Sequence, residues 1–107
     1  MWKLIFVAVV MFLLLSAVGH SAFGKPTTIQ HNVSLTWNSQ SGASFNVYRS
    51  HNTPRKPVWV LIGTSTTPDY TDGSVRSGEI YLYAVSAVEA GKETAKSSIV
   101  SATIPKP

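Results

Sequence analysis

Few side chains in this sequence stand at the spacings that chemistry needs. Asp69, Asp72 and Glu79 form the closest acidic cluster. Paired carboxylates act as acid and base on a glycosidic bond when held about 5 to 10 Å apart. The trio is therefore the one candidate for a small carbohydrate-active hydrolase. Such an enzyme also needs a deep cleft, which a chain this short does not build, and Asp at a strand end ordinarily makes Asx turns. Serines are abundant, but none sits in a nucleophile-elbow pattern. His31 and His51 have no second His, Asp or Glu at ligand spacing, and both read as solvated loop residues. There is no cysteine, which excludes a thiol nucleophile, a Cys-based zinc site and a disulfide framework. Catalytic, cofactor and metal sites are all expected to be none.

The densest functional signal is basic. Arg49, Arg55 and Lys56 lie beside His51, with Trp59 just beyond. Charges of this kind attract an anionic polymer or an acidic partner over a screened range of about 8 to 10 Å. Their plainer use is to keep a loop soluble. Trp59 stacks on a sugar ring if it faces out and caps the core if it faces in, and the inward placement is the expectation. Arg49, His51, Arg55, Lys56 and Trp59 make up the candidate partner-binding loop.

The elements that would position these residues follow from an uneven composition. The chain has 107 residues, and its first 24 hold 18 apolar ones, leaving 29 in the remaining 83. Met1-Trp2-Lys3 begins a leader, an apolar run covers residues 4–15, and Ser16-Ala17-Val18-Gly19 turns small and mixed. Twelve helical residues span roughly 18 Å, short of a bilayer core of about 30 Å. The pattern is that of a secretory signal peptide over residues 1–24, forming a helix, with a cut before Lys25 or alternatively before His20. The competing reading is an uncleaved anchor over residues 4–18. Residues 25–107 then form one domain, secreted or periplasmic. Without Lys3 it carries eight basic and five acidic residues, too mild a balance for nucleic acid. At this size about 60 to 65% of the unfolded surface is buried, so packing alone must supply a modest stability.

From Lys25 on the period is two. Val33, Leu35 and Trp37 alternate with Ser34 and Thr36, and residues 38–42 read as a turn. Phe45 and Val47 mark a second strand ending near Ser50, and the two prolines of residues 51–57 make a loop. The apolar run 58–62 is a short strand of undecided orientation, and residues 64–68 a loop. Tyr70 starts a brief strand that Asp72-Gly73 ends. Residues 80–88 form the strongest strand, with Tyr81, Tyr83, Val85 and Ala87 on one stripe. Residues 89–93 are a hairpin loop, and the last strand runs over 97–104 until Pro105 stops it. Six strands result, seven if residues 27–30 add an edge, which is the pattern of an all-β sandwich.

These residues resemble a fibronectin type III domain over residues 31–105. Val33-x-Leu35-x-Trp37 resembles the family's strand B, Phe45-Asn46-Val47-Tyr48-Arg49 its strand C, and Tyr81-x-Tyr83-x-Val85-x-Ala87-Val88 its strand F. Val75 precedes Tyr81 at the spacing of the family's tyrosine corner, with Ser77 where a Pro is usual. Asn46-Val47-Tyr48-Arg49-Ser50, Tyr70-Thr71-Asp72 and Val85-Ser86-Ala87-Val88 are similar to bacterial members. The resemblance implies an immunoglobulin-like antiparallel sandwich whose core holds Val33, Leu35, Trp37, Phe45, Val47, Val75, Tyr81, Tyr83, Val85 and Ala87. It also implies a module that binds or spaces rather than catalyses. Strand A must be short or missing, and Ala90-Gly91-Lys92-Glu93 replaces the adhesive Arg-Gly-Asp of some members.

The expectation is an exported, non-catalytic binding or spacer module at the cell envelope or outside the cell. Its partner would be a protein or polysaccharide there, with a membrane involved only if the leader is uncleaved. The alternatives are a structural subunit that joins an envelope assembly through its sheet edges and, last, the small hydrolase.

Overall fold

The computed structural model describes residues 12–18, 30–38 and 43–106. Eight strands occur in them: β1 (Phe12–Val18), β2 (Gln30–Thr36), β3 (Ser44–His51), β4 (Val60–Ser65), β5 (Asp69–Val75), β6 (Ile80–Glu89), β7 (Lys92–Glu93) and β8 (Val100–Thr103). All pairings are antiparallel. One sheet has the order β1-β2-β5; the other has β4-β3-β6, with β7 and β8 both against the far side of β6. Among the described residues no helix is long and apolar enough to cross a membrane.

The period-two stripes become the two inner faces. Val33, Leu35 and Trp37 from the β2 side meet Phe45 and Val47 of β3 and Tyr81, Tyr83, Val85 and Ala87 of β6, with Ala102 and Ile104 closing the end. Val75 is half-buried against this cluster. Trp37 packs edge-on to Phe45 at 5.3 Å between ring centroids. Each such side chain removed from water is worth about 1.5 to 3 kcal/mol, which is what holds the two sheets together.

Several details differ from the sequence reading. Of the expected leader helix only Phe12–Val18 is described, and it is a strand in register with β2 from Phe12↔Thr36 to Val18↔Gln30. An extended partner satisfies the backbone groups of alternate β2 residues that face away from β5, on an edge that would otherwise be open. Both candidate cut sites, residues 27–29 and the turn over 39–42 lie outside the described residues. His31 is not a solvated loop residue: it lies in β2 and is 5% exposed. It shares the inward parity of Val33 and Leu35, across a bulge between His31 and Val33. The loop expected from residue 64 begins only after Ser65.

Asp72-Gly73 does not end a strand, because β5 continues to Val75. The final strand, expected over 97–104, is only Val100–Thr103, and the expected 89–93 loop itself holds the strand β7. After a tight turn at Ala90 and Gly91, with φ of 51° and 77°, β7 lasts two residues. The hydroxyls of Thr94 and Ser97 then accept the amides of Ala87 and Val85 in place of ladder carbonyls, until β8 resumes regular pairing.

Candidate functional site

The site grows from β3, whose last inward side chain is too polar for the core. Arg49 lies on the parity of Phe45 and Val47 but reaches the end of the sandwich, where its Nη1 donates to Asp72 Oδ2 and to Ser74 Oγ, both at 2.8 Å. Asp72 is 4% exposed and also accepts from the Tyr83 hydroxyl at 2.7 Å and from the amide and hydroxyl of Ser74 at 3.0 and 2.7 Å. Burial alone would raise the Asp72 carboxyl; the hydrogen bonds from Tyr83, Ser74 and Arg49 outweigh it and hold the group below the usual carboxylate range. Burial, reinforced by Asp72, pushes the Tyr83 phenol well up. One carboxylate on β5 thus ties two strands of the opposite sheet.

Beside this tie the surface forms a half-open cleft of about 340 Å³, lined by Arg49, His51, Ser74, Arg76, Glu79 and Tyr81. The Tyr81 ring is its floor and is 2% exposed. The Arg49 guanidinium carbon stands 5.0 Å from that ring's centroid, and the His51 ring 5.3 Å from it. The Tyr81 hydroxyl accepts the Arg76 amide at 3.0 Å, closing the tyrosine corner five residues back along the chain. The Ser77-Gly78 turn, with Gly78 at φ 79°, follows immediately and sets Glu79 on the same rim.

The structure divides the residues singled out in the sequence. Arg49 and His51 meet in the cleft; Arg55, Lys56 and Trp59 do not line it. Arg55 and Lys56 are exposed on a loop turned by the Thr53 hydroxyl, which donates to both their carbonyls, and anchored where Val58 N–H donates to Ser50 Oγ. Trp59 does not cap the core: it is half-buried in the segment before β4, ahead of the point where the chain joins the sheet. Nor does the acidic trio assemble. Asp72 is engaged by Arg49, Tyr83 and Ser74, Asp69 is exposed and accepts from Thr67, and Glu79 alone reaches the cleft. Among the described residues no three His, Asp or Glu are grouped to hold a metal.

Sequence reasoning missed Ser74 and Arg76 and gave Glu79 the wrong company. The available signal was the tyrosine corner, which returns the chain after Val75 to the top of β6. A second polar centre lies on the outer face. There Glu93 accepts from Asn46 at 2.9 Å and from the hydroxyls of Ser86 and Tyr48, which hold its carboxyl down to about 2. Lys96 sits 4.3 Å over the Tyr48 ring. Val58, Val60 and Leu61 leave more than half their surface in water along the β4 edge.

Two antiparallel sheets of this order, a Trp-centred core and a tyrosine corner define a fibronectin type III sandwich. The comparisons with known proteins agree. A crystal structure of an Fn3-like protein from Clostridium thermocellum is 36% identical, with a TM-score of 0.59 over 94% of this chain and 97% of that one. The chain belongs to this bacterial fibronectin type III-like family. The solution structure of a human FNIII domain, 17% identical with a TM-score of 0.65, covers 92% of this chain and 78% of that domain and shows the same fold. A poly(3-hydroxybutyrate) depolymerase from Ralstonia pickettii is 36% identical over 78 residues, which is 71% of this chain but 14% of that enzyme. The sequence matches no protein-family profile.

Proposed function

We propose that the chain is a non-catalytic module, carried out of the cytoplasm by its leader, that binds or spaces partners at the cell envelope or beyond it. The observation that carries this reading is the proportion of the depolymerase match. A segment like this one makes up 14% of an enzyme that acts on a polymer. The rest of that enzyme lies outside the match, so this reading takes the matched segment as an accessory unit. The sandwich itself suits that part, since its most buried carboxylate, Asp72, is tied to Arg49, Tyr83 and Ser74.

A second reading, as a structural subunit joined through sheet edges, is supported by β1 lying along β2. That edge takes an added strand.

The test is retention of envelope proteins and polysaccharides on the immobilised chain at low and high salt. A saturable partner held at high salt supports a specific binding face. Loss at high salt, abolished by reversing Arg55 and Lys56 to Glu, assigns the contact to the basic loop. If nothing is retained and the chain assembles with itself as concentration rises, the second reading replaces the first.

A further inference from the structure

We propose that the cleft between β3, β5 and the start of β6 is a subsite for a hydroxylated carboxylate, either a uronic acid unit of an acidic polysaccharide or a free hydroxy acid. This deepens the binding-module reading and rests on it.

The cleft is built before any ligand arrives. Arg49 is held by hydrogen bonds to Asp72 and Ser74, with its guanidinium carbon 5.0 Å from the Tyr81 ring centroid, so little side-chain freedom remains to be lost on binding. Only its Nη1 is engaged, which leaves the other Nη and Nε as donors. Arg76 and Glu79 flank one tight turn, yet their side chains make no ion pair or hydrogen bond among the described residues. Two opposite charges therefore share a rim, each with its hydrogen-bonding capacity open to the cleft.

That charge pattern selects the ligand. Asp72 offsets Arg49, and Glu79 offsets Arg76, so the cleft is not a general anion trap. Sulfate, an anion with no donor, would gain the arginines and meet the repulsion of Glu79. A ligand with a carboxylate for the guanidinium forks and a hydroxyl donor for Glu79 satisfies both. Tyr81 is covered by Arg49 and His51, leaving no open aromatic face for stacking, so recognition is by hydrogen bonds. The volume of about 340 Å³ lies at the small end of ligand sites, which run about 300 to 1,000 Å³.

The experiment is an NMR titration of the full chain with D-glucuronate, methyl glucoside and acetate, following His51, Arg76 and Glu79. Saturable shifts with glucuronate, at least about ten-fold tighter than with either control, are expected. Arg76→Gln should weaken glucuronate at least about ten-fold. Glu79→Gln should remove the preference for glucuronate over acetate. Both residues are exposed, so both variants keep the fold, as their unchanged remaining spectra will show. A tri-uronate binding more tightly than glucuronate supports the polysaccharide source. 3-Hydroxybutyrate binding as tightly as glucuronate supports the free acid. No saturable shift, equal binding of methyl glucoside, or an unaltered preference in Glu79→Gln overturns the proposal. If the immobilised chain still retains an envelope partner in that case, the subsite falls and the binding-module reading stands.

Discussion

Asp72→Asn is the most informative single change in this domain. Asp72 is 4% exposed and accepts four hydrogen bonds, one of them from the side chain of Arg49, which keeps 21% of its surface in water. An Asn amide retains one acceptor oxygen but turns a donor toward Arg49 or the Tyr83 hydroxyl. Breaking a buried pair by removing one partner costs about 3 to 5 kcal/mol, and the partial exposure of Arg49 sets the lower end, about 3 kcal/mol. A domain of about 80 residues has about 4 to 12 kcal/mol in total, so the loss is a large fraction of its stability.

The assay is urea unfolding followed by tryptophan fluorescence at pH 7, with Arg49→Met and the double variant completing a cycle. The double variant should lose at least about 1 kcal/mol less than the sum of the single losses, because it leaves no unpaired charge. A pH series supplies an independent arm. The folded carboxyl lies below its ordinary value, so its contribution is complete above about pH 5 and fades as pH falls through the lowered folded value. The gap between wild type and Asp72→Asn should therefore narrow below about pH 4. A loss under about 1 kcal/mol at pH 7, or a gap unchanged between pH 7 and about pH 2, would refute the assignment of Asp72 as an inter-sheet tie.

Four further outcomes are expected. Trp37→Ala, which empties a site 4% exposed and removes the edge-on contact with Phe45, should cost about 3 to 5 kcal/mol in urea unfolding. Near-native melting would contradict the place given to β2 in the core. Tyr81→Phe should cost about 1 kcal/mol and speed hydrogen exchange at the Arg76 amide, which loses its acceptor. Gly63→Ala places a Cβ 2.5 Å from the Tyr70 ring and should cost about 1 to 3 kcal/mol; in a Tyr70→Ala background that cost should vanish. A carbon NMR titration of Glu93 should give a midpoint of about 2, rising toward the ordinary glutamate value in Asn46→Ala.

What the sequence discloses depends on whether a residue's role is local. Val33, Leu35 and Trp37, and Tyr81, Tyr83, Val85 and Ala87, are legible because a half-buried strand imposes a period of two on its own residues. His31 follows that same parity and was lost to its polar type, with the bulge before Val33 hiding the continuity. Asp72-Gly73 looks like a stop because both are turn formers. What keeps β5 going is backbone pairing with β2, where His31 lies opposite Val75, and no local pattern announces that partner. The cleft is hidden for the same reason. Arg76 and Glu79 reach Arg49 only once His51 pairs with Tyr81 and the tyrosine corner folds the chain back. Trp59 fails in the opposite sense, its apolar type overstating its burial.

The placement of the Arg49–Asp72 pair has a mechanical consequence. A unit that holds two bodies apart is loaded along its chain. β1 and β8, the first and last strands described, lie in opposite sheets, so tension entering through one and leaving through the other acts to part the sandwich. Apolar contacts yield gradually under such a load, whereas a charged hydrogen bond resists over a short travel and then gives way at once. Arg49 and Asp72 form the sole ion pair among the described residues, and they span the gap between the sheets. They would act as a latch, stiff while Asp72 is ionised and slack once acid protonates it. Under force, such a latch would give way in acidic surroundings before the domain unfolded there at rest.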